Sequence, residues 1–252
     1  MNSSNTKRIA MWSGPRNIST AMMRSWGSRA DTVVCDEPLY AHYLLQTGVP
    51  HPGAPEVVAH HEADWRKVVT WLTGPPPQPD SASGARPAIW YQKHMAHHLL
   101  PEIERDWLHH LTHAFLIRDP REMLTSLMKN VPNPTIRDTG LVQQVEIFEH
   151  VERATGRTPP VIDSRDVLQD PRRMLMMLCT ALDVPFDKAM LHWAPGPRPT
   201  DGIWAKHWYA SVERSTTFEP YMPKAEQVPA SLQSLLDECQ QHYQHLYDRR
   251  LR

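Results

Sequence analysis

Short apolar runs alternate along the chain with segments of helical periodicity. The apolar runs are short enough to be buried strands, at residues 8–13, 32–35, 88–92, 114–117 and 160–164. Hydrophobic positions at helical spacing predict helices over residues 19–28, 62–72, 120–128, 141–154, 171–182 and about 229–248. This alternation predicts an α/β fold of three layers with a central parallel sheet. Ligands of such sheets bind where a strand gives way to a helix, so these junctions are the places to search for chemistry.

Composition narrows the class of protein. The 252 residues include 27 Lys and Arg against 28 Asp and Glu, without the basic surplus of a nucleic-acid binder. No apolar run approaches the ~20 residues that span a membrane, and the polar start of the chain does not resemble a signal peptide. The three cysteines are widely separated and form no CxxC pair, which suits a reducing compartment. We therefore expect a cytoplasmic protein that binds neither nucleic acid nor membrane.

The 24 prolines mark loops, because proline does not fit inside helices or central strands. They are dense in residues 74–87, which we interpret as a surface loop and not as a linker. We find no internal repeat, so we expect a single domain over residues 1–252. The oligomeric state stays open, with a homodimer among the possibilities.

The junction after the first strand has the composition of an anion site. A strand there leads through a Gly-Pro turn and a cation to hydroxyl residues that open a helix, in the order Gly14, Pro15, Arg16, Asn17, Ile18, Ser19 and Thr20. A helix N-terminus offers unpaired N–H groups, and arginine adds a charged hydrogen bond. The GxxxxGK[ST] motif of triphosphate-binding loops is absent, so the turn is P-loop-like only. The alternative is an ordinary turn in which a serine caps the helix.

A second junction carries another cation and hydroxyl. Arg118 ends a predicted strand, and Ser126 lies eight residues later on the predicted helix. Together the two junctions resemble the phosphate sites of bacterial sulfotransferases that use 3′-phosphoadenosine-5′-phosphosulfate. The resemblance implies that residues 14–20 hold the 5′-phosphosulfate, with Arg16 at the bridging oxygen, and that Arg118 and Ser126 bind the 3′-phosphate.

The resemblance also implies an activity. Such an enzyme transfers a sulfuryl group to the hydroxyl or amine of a small-molecule acceptor and releases adenosine 3′,5′-bisphosphate. Residues 202–209 resemble the family's cofactor-covering loop, although the usual Gly-Lys-Gly arrangement is missing. Lys206 is therefore a further candidate ligand of the 3′-phosphate.

Candidate bases follow the second and third strands. A Lys and a His after the third strand resemble the family's pair, in which His is the base and Lys meets the sulfuryl group. We expect His94 to be the base because it directly follows Lys93, so that both would face one point; His97 and His98 remain alternatives. Glu37 competes, since some bacterial sulfotransferases use a glutamate after the second strand, although Asp36 and Glu37 could instead cap a helix.

Three other interpretations stay open. The histidines at positions 94, 97 and 98 have the spacing of metal ligands, but no Cys, Asp or Glu completes a set, so we predict no metal. A P-loop-type kinase is suggested by the acidic pair after residues 32–35, which could bind magnesium, yet it would not require Arg118 and Ser126. A non-catalytic nucleotide-binding protein is the third possibility, against which Arg16, Ser19 and Arg118 argue.

Overall fold

One parallel sheet forms the centre of the structure, a computed structural model that describes residues 6–78, 86–223 and 225–252. The five strands of the described residues are β1 (Lys7–Ser13), β2 (Thr32–Asp36), β3 (Ile89–Met95), β4 (Thr112–Ile117) and β5 (Val161–Asp163). Their order across the sheet is β2-β3-β1-β4-β5, and every neighbouring pair is parallel. Because β1 lies between β3 and β4, the turn after β1 is flanked by the ends of both.

Helices connect the strands and cover both faces of the sheet. In the described residues they are α1 (Ser19–Gly27), α2 (Tyr40–Thr47), α3 (Ala54–His60), α4 (Trp65–Thr73), α5 (Pro120–Leu127), α6 (Ile136–Thr139), α7 (Leu141–Thr155), α8 (Ser164–Gln169), α9 (Pro171–Ala181), α10 (Ala205–Trp208), α11 (Ala210–Arg214) and α12 (Gln233–Tyr247). Short 3₁₀ turns occupy Ala96–His98, Asp106–His110, Lys188–Leu191 and Ala230–Leu232. No helix of the described residues is long and apolar enough to cross a membrane.

The sheet separates two hydrophobic clusters. Along β1, Ala10 and Trp12 belong to one cluster, while Ile9 and Met11 belong to the other, as the two-residue period of a strand requires. All four side chains are fully buried. A strand that is covered on both faces is apolar throughout, which is why β1 reads as a continuous apolar run. The predicted α/β fold of three layers with a central parallel sheet is confirmed.

Element boundaries differ from the predicted ones in a few places. The helix predicted over residues 62–72 begins at Trp65, since Asp64 accepts a hydrogen bond from the backbone N–H of Arg66 and caps it. The last helix begins at Gln233, after a 3₁₀ turn. Within the predicted loop 74–87, the described residues contain neither helix nor strand, and residues 79–85 lie outside the described residues.

Candidate active site

A cavity of about 380 Å³ lies at the carboxyl edge of the sheet. Its walls include residues 15–21 after β1, Lys93 of β3 and Arg118 after β4. Residues between positions 208 and 219 close another side. Since the strands are parallel, their carboxyl ends meet at one edge, which is where parallel sheets bind ligands.

The turn after β1 passes very close to the chain before α7. A Cβ on Gly14 would lie 2.5 Å from the carbonyl oxygen of Thr139, so this close approach requires glycine. Arg16 has a φ of 53°, a left-handed conformation that costs a non-glycine residue roughly 1–3 kcal/mol. Asn17 donates from Nδ2 to the carbonyl oxygen of Leu116 at 3.0 Å. The neighbouring elements therefore hold the turn in a conformation that it would not adopt alone.

Helix α1 begins at Ser19, directly after this turn. No side chain of the described residues caps it, so the predicted capping role of Ser19 is not seen. Ser19 and Thr20 stand in the first turn, and both line the cavity together with Pro15 and Ile18. Backbone N–H groups at a helix start, with the positive end of the helix dipole, favour an anion there.

Two arginines far apart in sequence meet beside the helix start. Arg118 donates from Nη1 to the carbonyl oxygen of Arg16 at 2.5 Å, and Arg16 donates from Nε to Oγ of Ser126 at 3.0 Å. Arg118 also forms an ion pair with Glu122 at 3.2 Å. Burial, and then the charge of Arg118, lower the pKa of Arg16. An anion between the two guanidinium groups would relieve their repulsion.

On the opposite side of β1, a buried network of charges joins the ends of β2 and β3. Lys93 donates to Oδ1 of Asp36 at 2.8 Å, to Oη of Tyr209 at 2.9 Å and to Oε1 of Glu37. Asp36 also accepts from Oη of Tyr209 at 2.7 Å and from the backbone N–H of Gly202 at 3.2 Å. The three ammonium hydrogens of Lys93 are thus all used within the network.

Glu37 is the carboxylate of this network that lines the cavity, together with Lys93 and Tyr209. It has a φ of 41°, so it shares the left-handed conformation of Arg16, and only 12% of its side chain is exposed. Burial raises the pKa of its carboxyl group and the charge of Asp36 raises it further, whereas Lys93 opposes both effects. Its Oε2 lies 4.0 Å from Nδ1 of His98. A carboxylate whose pKa is raised is better matched to proton transfer near neutral pH.

The prediction that Lys93 and His94 face one point is wrong. Successive residues of a strand point to opposite faces, so Lys93 joins the network while His94 packs on Trp12, with ring centroids 4.4 Å apart. His94 is not among the described residues that line the cavity, and burial lowers its pKa to about 3. His97 and His98 do line it, but burial lowers the pKa of His97 to about 3 and that of His98 well below its ordinary value.

Two further sequence-based suggestions concern Lys206 and the acidic pair after β2. Lys206 lies on the surface, where Nζ donates to Oε2 of Glu56 at 2.5 Å, and it is not part of the described cavity wall that holds Arg118. Asp36 and Glu37 do not cap a helix, because α2 begins only at Tyr40 and no described side chain caps it. The described residues contain no group of three or more His, Cys, Asp or Glu that could hold a metal ion.

Sequence reasoning missed an aromatic wall and one tyrosine. Tyr40 and Tyr43 line the cavity, and the ring of His98 stacks against each of them, with both centroid distances at 4.7 Å. Trp208 and Tyr209 line it from the other side. The i, i+3 spacing of the first two tyrosines on one helix was a usable signal. Tyr209 lay within the segment singled out for Lys206, but its charged partners Lys93 and Asp36 are more than 100 residues away in sequence.

Comparisons of sequence find a family and two relatives. The sulfotransferase domain family matches residues 7–249. Two proteins of Arabidopsis thaliana, named branched-chain-amino-acid aminotransferase-like protein 1 and protein 2, are similar to the chain with 36% and 33% identity over 229 and 231 residues. These matches cover 91% and 92% of this chain, but the chain spans only 40% of the length of each relative.

Comparisons of structure give the same fold. The chain resembles the sulfotransferase domain of the Synechococcus PCC 7002 olefin synthase, with a TM-score of 0.54, 19% identity and 97% of each chain covered. It also resembles the sulfotransferase domain of the curacin biosynthetic pathway, with a TM-score of 0.51, 15% identity and coverage of 96% of this chain and 98% of that one.

Proposed function

The chain belongs to the sulfotransferase domain family, and we propose that it transfers a sulfuryl group from 3′-phosphoadenosine-5′-phosphosulfate to the hydroxyl or amine of a small-molecule acceptor. The observation that carries this proposal is the meeting of Arg16, Arg118 and Ser126 beside an uncapped helix start in one cavity. Two phosphate motifs that lie apart in sequence are needed for a donor with phosphate at both its 3′ and 5′ positions.

In this proposal the two motifs orient the donor, with one motif at each of its phosphate groups. Residues 14–20 hold the 5′-phosphosulfate at the start of α1, where Ser19 and Thr20 supply hydroxyl donors. Arg118 and Ser126 take the 3′-phosphate. Glu122 pairs with Arg118 and orients its guanidinium group. Charged hydrogen bonds to arginine are the strongest that a protein offers to phosphate, which suits this pair of sites.

Transfer proceeds by attack of the acceptor on sulfur. The acceptor oxygen or nitrogen forms a bond to sulfur, and the bond from sulfur to the bridging oxygen breaks with its electron pair moving to the 5′-phosphate. Arg16 stabilises the negative charge that grows on this oxygen. The acceptor's proton passes to the carboxylate of Glu37, which borders the cavity and whose pKa burial raises.

The acceptor lies against the aromatic wall. Tyr40, Tyr43 and Trp208 line the cavity, and Nδ1 of His51 is hydrogen-bonded to Oη of Tyr40 at 3.0 Å. Rings of this kind bury apolar parts of a small molecule, while their polar atoms fix its orientation.

The acidic pair weighs against a kinase. A magnesium site needs carboxylates that are open to the metal, whereas Asp36 and Glu37 both accept hydrogen bonds from Lys93. With Lys93 between them, these carboxylates suit proton transfer better than metal binding.

The test begins with nucleotide binding. Adenosine 3′,5′-bisphosphate should raise the unfolding temperature more than 5′-AMP does, and ATP with magnesium should have the smallest effect, because only the first nucleotide fills both phosphate sites. Radiolabelled donor, with ³⁵S in the sulfuryl group, is then incubated with a panel of small alcohols, phenols and amines. Label should appear in an acceptor with release of adenosine 3′,5′-bisphosphate.

Two outcomes contradict the proposal. Stronger stabilisation by ATP with magnesium, with transfer of its γ-phosphate, would favour the kinase. Binding of adenosine 3′,5′-bisphosphate without turnover of the donor, either to an acceptor or to water, would favour a non-catalytic nucleotide-binding protein.

A further inference from the structure

The hydroxyl of Tyr209 is shared by several members of the buried network. It accepts hydrogen bonds from Nζ of Lys93 at 2.9 Å and from Nε1 of Trp204 at 3.2 Å. Ammonium and indole N–H groups are donors only. The single hydrogen of the hydroxyl is therefore directed at Oδ2 of Asp36, at 2.7 Å. The donor-only character of Lys93 and Trp204 therefore fixes the direction of each of these hydrogen bonds.

Tyr209 belongs to residues 201–219, which we call the covering segment. Arg24 of α1 holds its start through two hydrogen bonds to Asp201, at 2.5 and 2.7 Å, and these two side chains are only 3% and 5% exposed. Further along, members of the segment line the cavity, namely Trp208, Tyr209, Ser211, Val212, Ser215, Thr217, Phe218 and Glu219. The covering segment therefore connects the helix of the phosphate turn with the end of β2.

Glu37 is surrounded by groups that set its charge. These come from β2, β3, the turn after β3, α2 and the covering segment, and they are Asp36, Lys93, His98, Tyr40 and Tyr209. Oη of Tyr209 lies 3.5 Å from Oε1 of Glu37, but its hydrogen is already directed at Asp36. Tyr209 consequently acts on Glu37 mainly through the two residues that it holds.

We propose that Tyr209 is a positioning residue, whose hydroxyl holds Lys93 and Asp36 in the arrangement that orients Glu37 and balances the charge around it. The inference rests on the proposed role of Glu37 as the base. Without the hydroxyl, Asp36 would lose one of its three donors and its negative charge would be less compensated. That charge would then disfavour ionisation of Glu37 more strongly.

The substitution Tyr209→Phe tests this in the full chain, since it keeps the ring and removes only the hydroxyl. We expect kcat to fall by about tenfold, the effect of one hydrogen bond to a charged group. The acidic limb of the kcat profile should move to higher pH, because Glu37 must lose its proton to act as a base. Affinity for adenosine 3′,5′-bisphosphate should stay within about twofold of wild type, because the hydroxyl does not touch the phosphate residues.

Tyr243→Phe is the matched control. Oη of Tyr243 donates to Oδ2 of Asp163 at 2.8 Å, also at the end of a strand, and both tyrosines are about equally buried at 4% and 5% exposure. Tyr243 is not among the described residues of the cavity wall. Its variant loses the same kind of hydrogen bond, so it should show a similar loss of stability but no movement of the acidic limb.

A second measurement does not depend on turnover. The carboxyl carbon of Glu37, assigned in ¹³C NMR by its loss in Glu37→Gln, should titrate at higher pH in Tyr209→Phe than in wild type or Tyr243→Phe. Asp36→Asn removes a negative charge and should move the midpoint the other way. An unmoved midpoint in Tyr209→Phe overturns the inference, and an unmoved midpoint in Asp36→Asn overturns the route through Asp36. A wild-type protein that transfers no sulfuryl group refutes the proposed function instead, and the titration still decides the role of Tyr209.

Discussion

The two sides of the cavity differ in how their charged groups are arranged. On the donor side, defined by Arg16, Arg118 and Ser126, two cations lie side by side, and burial together with their repulsion lowers the pKa of Arg16. On the base side, the cation Lys93 lies between two carboxylates, and these hold its pKa well above the ordinary value although burial alone would lower it. On the donor side Glu122 pairs with Arg118, and the two arginines leave one positive charge in excess, whereas every charged group of the base side is hydrogen-bonded to another.

This difference assigns separate tasks to the two sides. A site with unbalanced cations gains stability when an anion binds, so the donor side should dominate nucleotide affinity. A site whose charges are already hydrogen-bonded to one another keeps its geometry without a ligand, which is what a base needs in order to act on a bound acceptor. Changes on the donor side should therefore appear in nucleotide binding, and changes on the base side in turnover.

The sharpest test of the base side is Glu37→Gln. We expect kcat to fall by roughly 10²–10⁴-fold, the usual contribution of a general base, with adenosine 3′,5′-bisphosphate binding intact. Glu37 must be deprotonated to act as the base, so wild-type kcat should rise with pH through its pKa, which burial raises. The variant should lose this limb, as measured by steady-state rates across pH.

His94→Gln is the control for this prediction. His94 is buried against Trp12 outside the described cavity wall, so its variant should keep kcat within about tenfold while losing stability. An inactive but folded His94→Gln beside an active Glu37→Gln would restore His94 as the base.

Arg16→Ala tests the role of Arg16 at the bridging oxygen of the donor, next to the sulfuryl group that is transferred. If Arg16 stabilises charge on the leaving phosphate, kcat should fall by about 10²-fold or more, beyond any change in donor affinity. The measurement is kcat against KM for the donor. A raised KM with unchanged kcat would show that Arg16 only binds.

Arg118→Ala tests the donor side alone. Affinity for adenosine 3′,5′-bisphosphate should weaken by about 1.5–3 kcal/mol, the scale of a charged hydrogen bond, while 5′-AMP should hardly change. Isothermal titration calorimetry with both nucleotides measures this. Arg165→Ala is the control, because Arg165 also follows a strand but pairs with Asp119. It should change the affinity for neither nucleotide. Equal losses for both nucleotides with Arg118→Ala would contradict the assignment of the 3′-phosphate.

The positions of the donor-side residues could be predicted from local sequence better than those of the base-side residues. Each donor motif is short and local in sequence, although the two motifs lie far apart. In the first, a strand, a Gly-Pro turn and a helix start fix where Arg16 and Ser19 lie relative to one another. The base side depends on the parallel register that sets Asp36 beside Lys93, and on Tyr209, which comes from a distant segment. No local pattern encodes such pairings, since the sheet order decides them.

One error of placement has a simple physical reason. Placing Lys93 and His94 at one point overlooked the two-residue period of strands, although the strand itself was predicted. Lys206 was predicted from its charge in a segment that approaches the cavity, and its role as a phosphate ligand stays a prediction. In this structure Lys206 of α10 lies on the surface, whereas Tyr209 is the member of the segment that reaches the network.

The smallest expected effect is that of Lys206→Ala. Its Nζ pairs with Glu56 of α3, and 53% of its side chain is exposed, so we expect affinity for adenosine 3′,5′-bisphosphate to change by less than about twofold. Glu56→Gln makes the test stricter, because it removes the partner and leaves Lys206 able to move. If Lys206 were a phosphate ligand for which Glu56 competes, Glu56→Gln would tighten binding and Lys206→Ala would weaken it, with 5′-AMP unaffected. Unchanged affinities in both variants would limit the donor side to Arg16, Arg118, Ser126 and the helix start, and would keep the contrast with the base side intact.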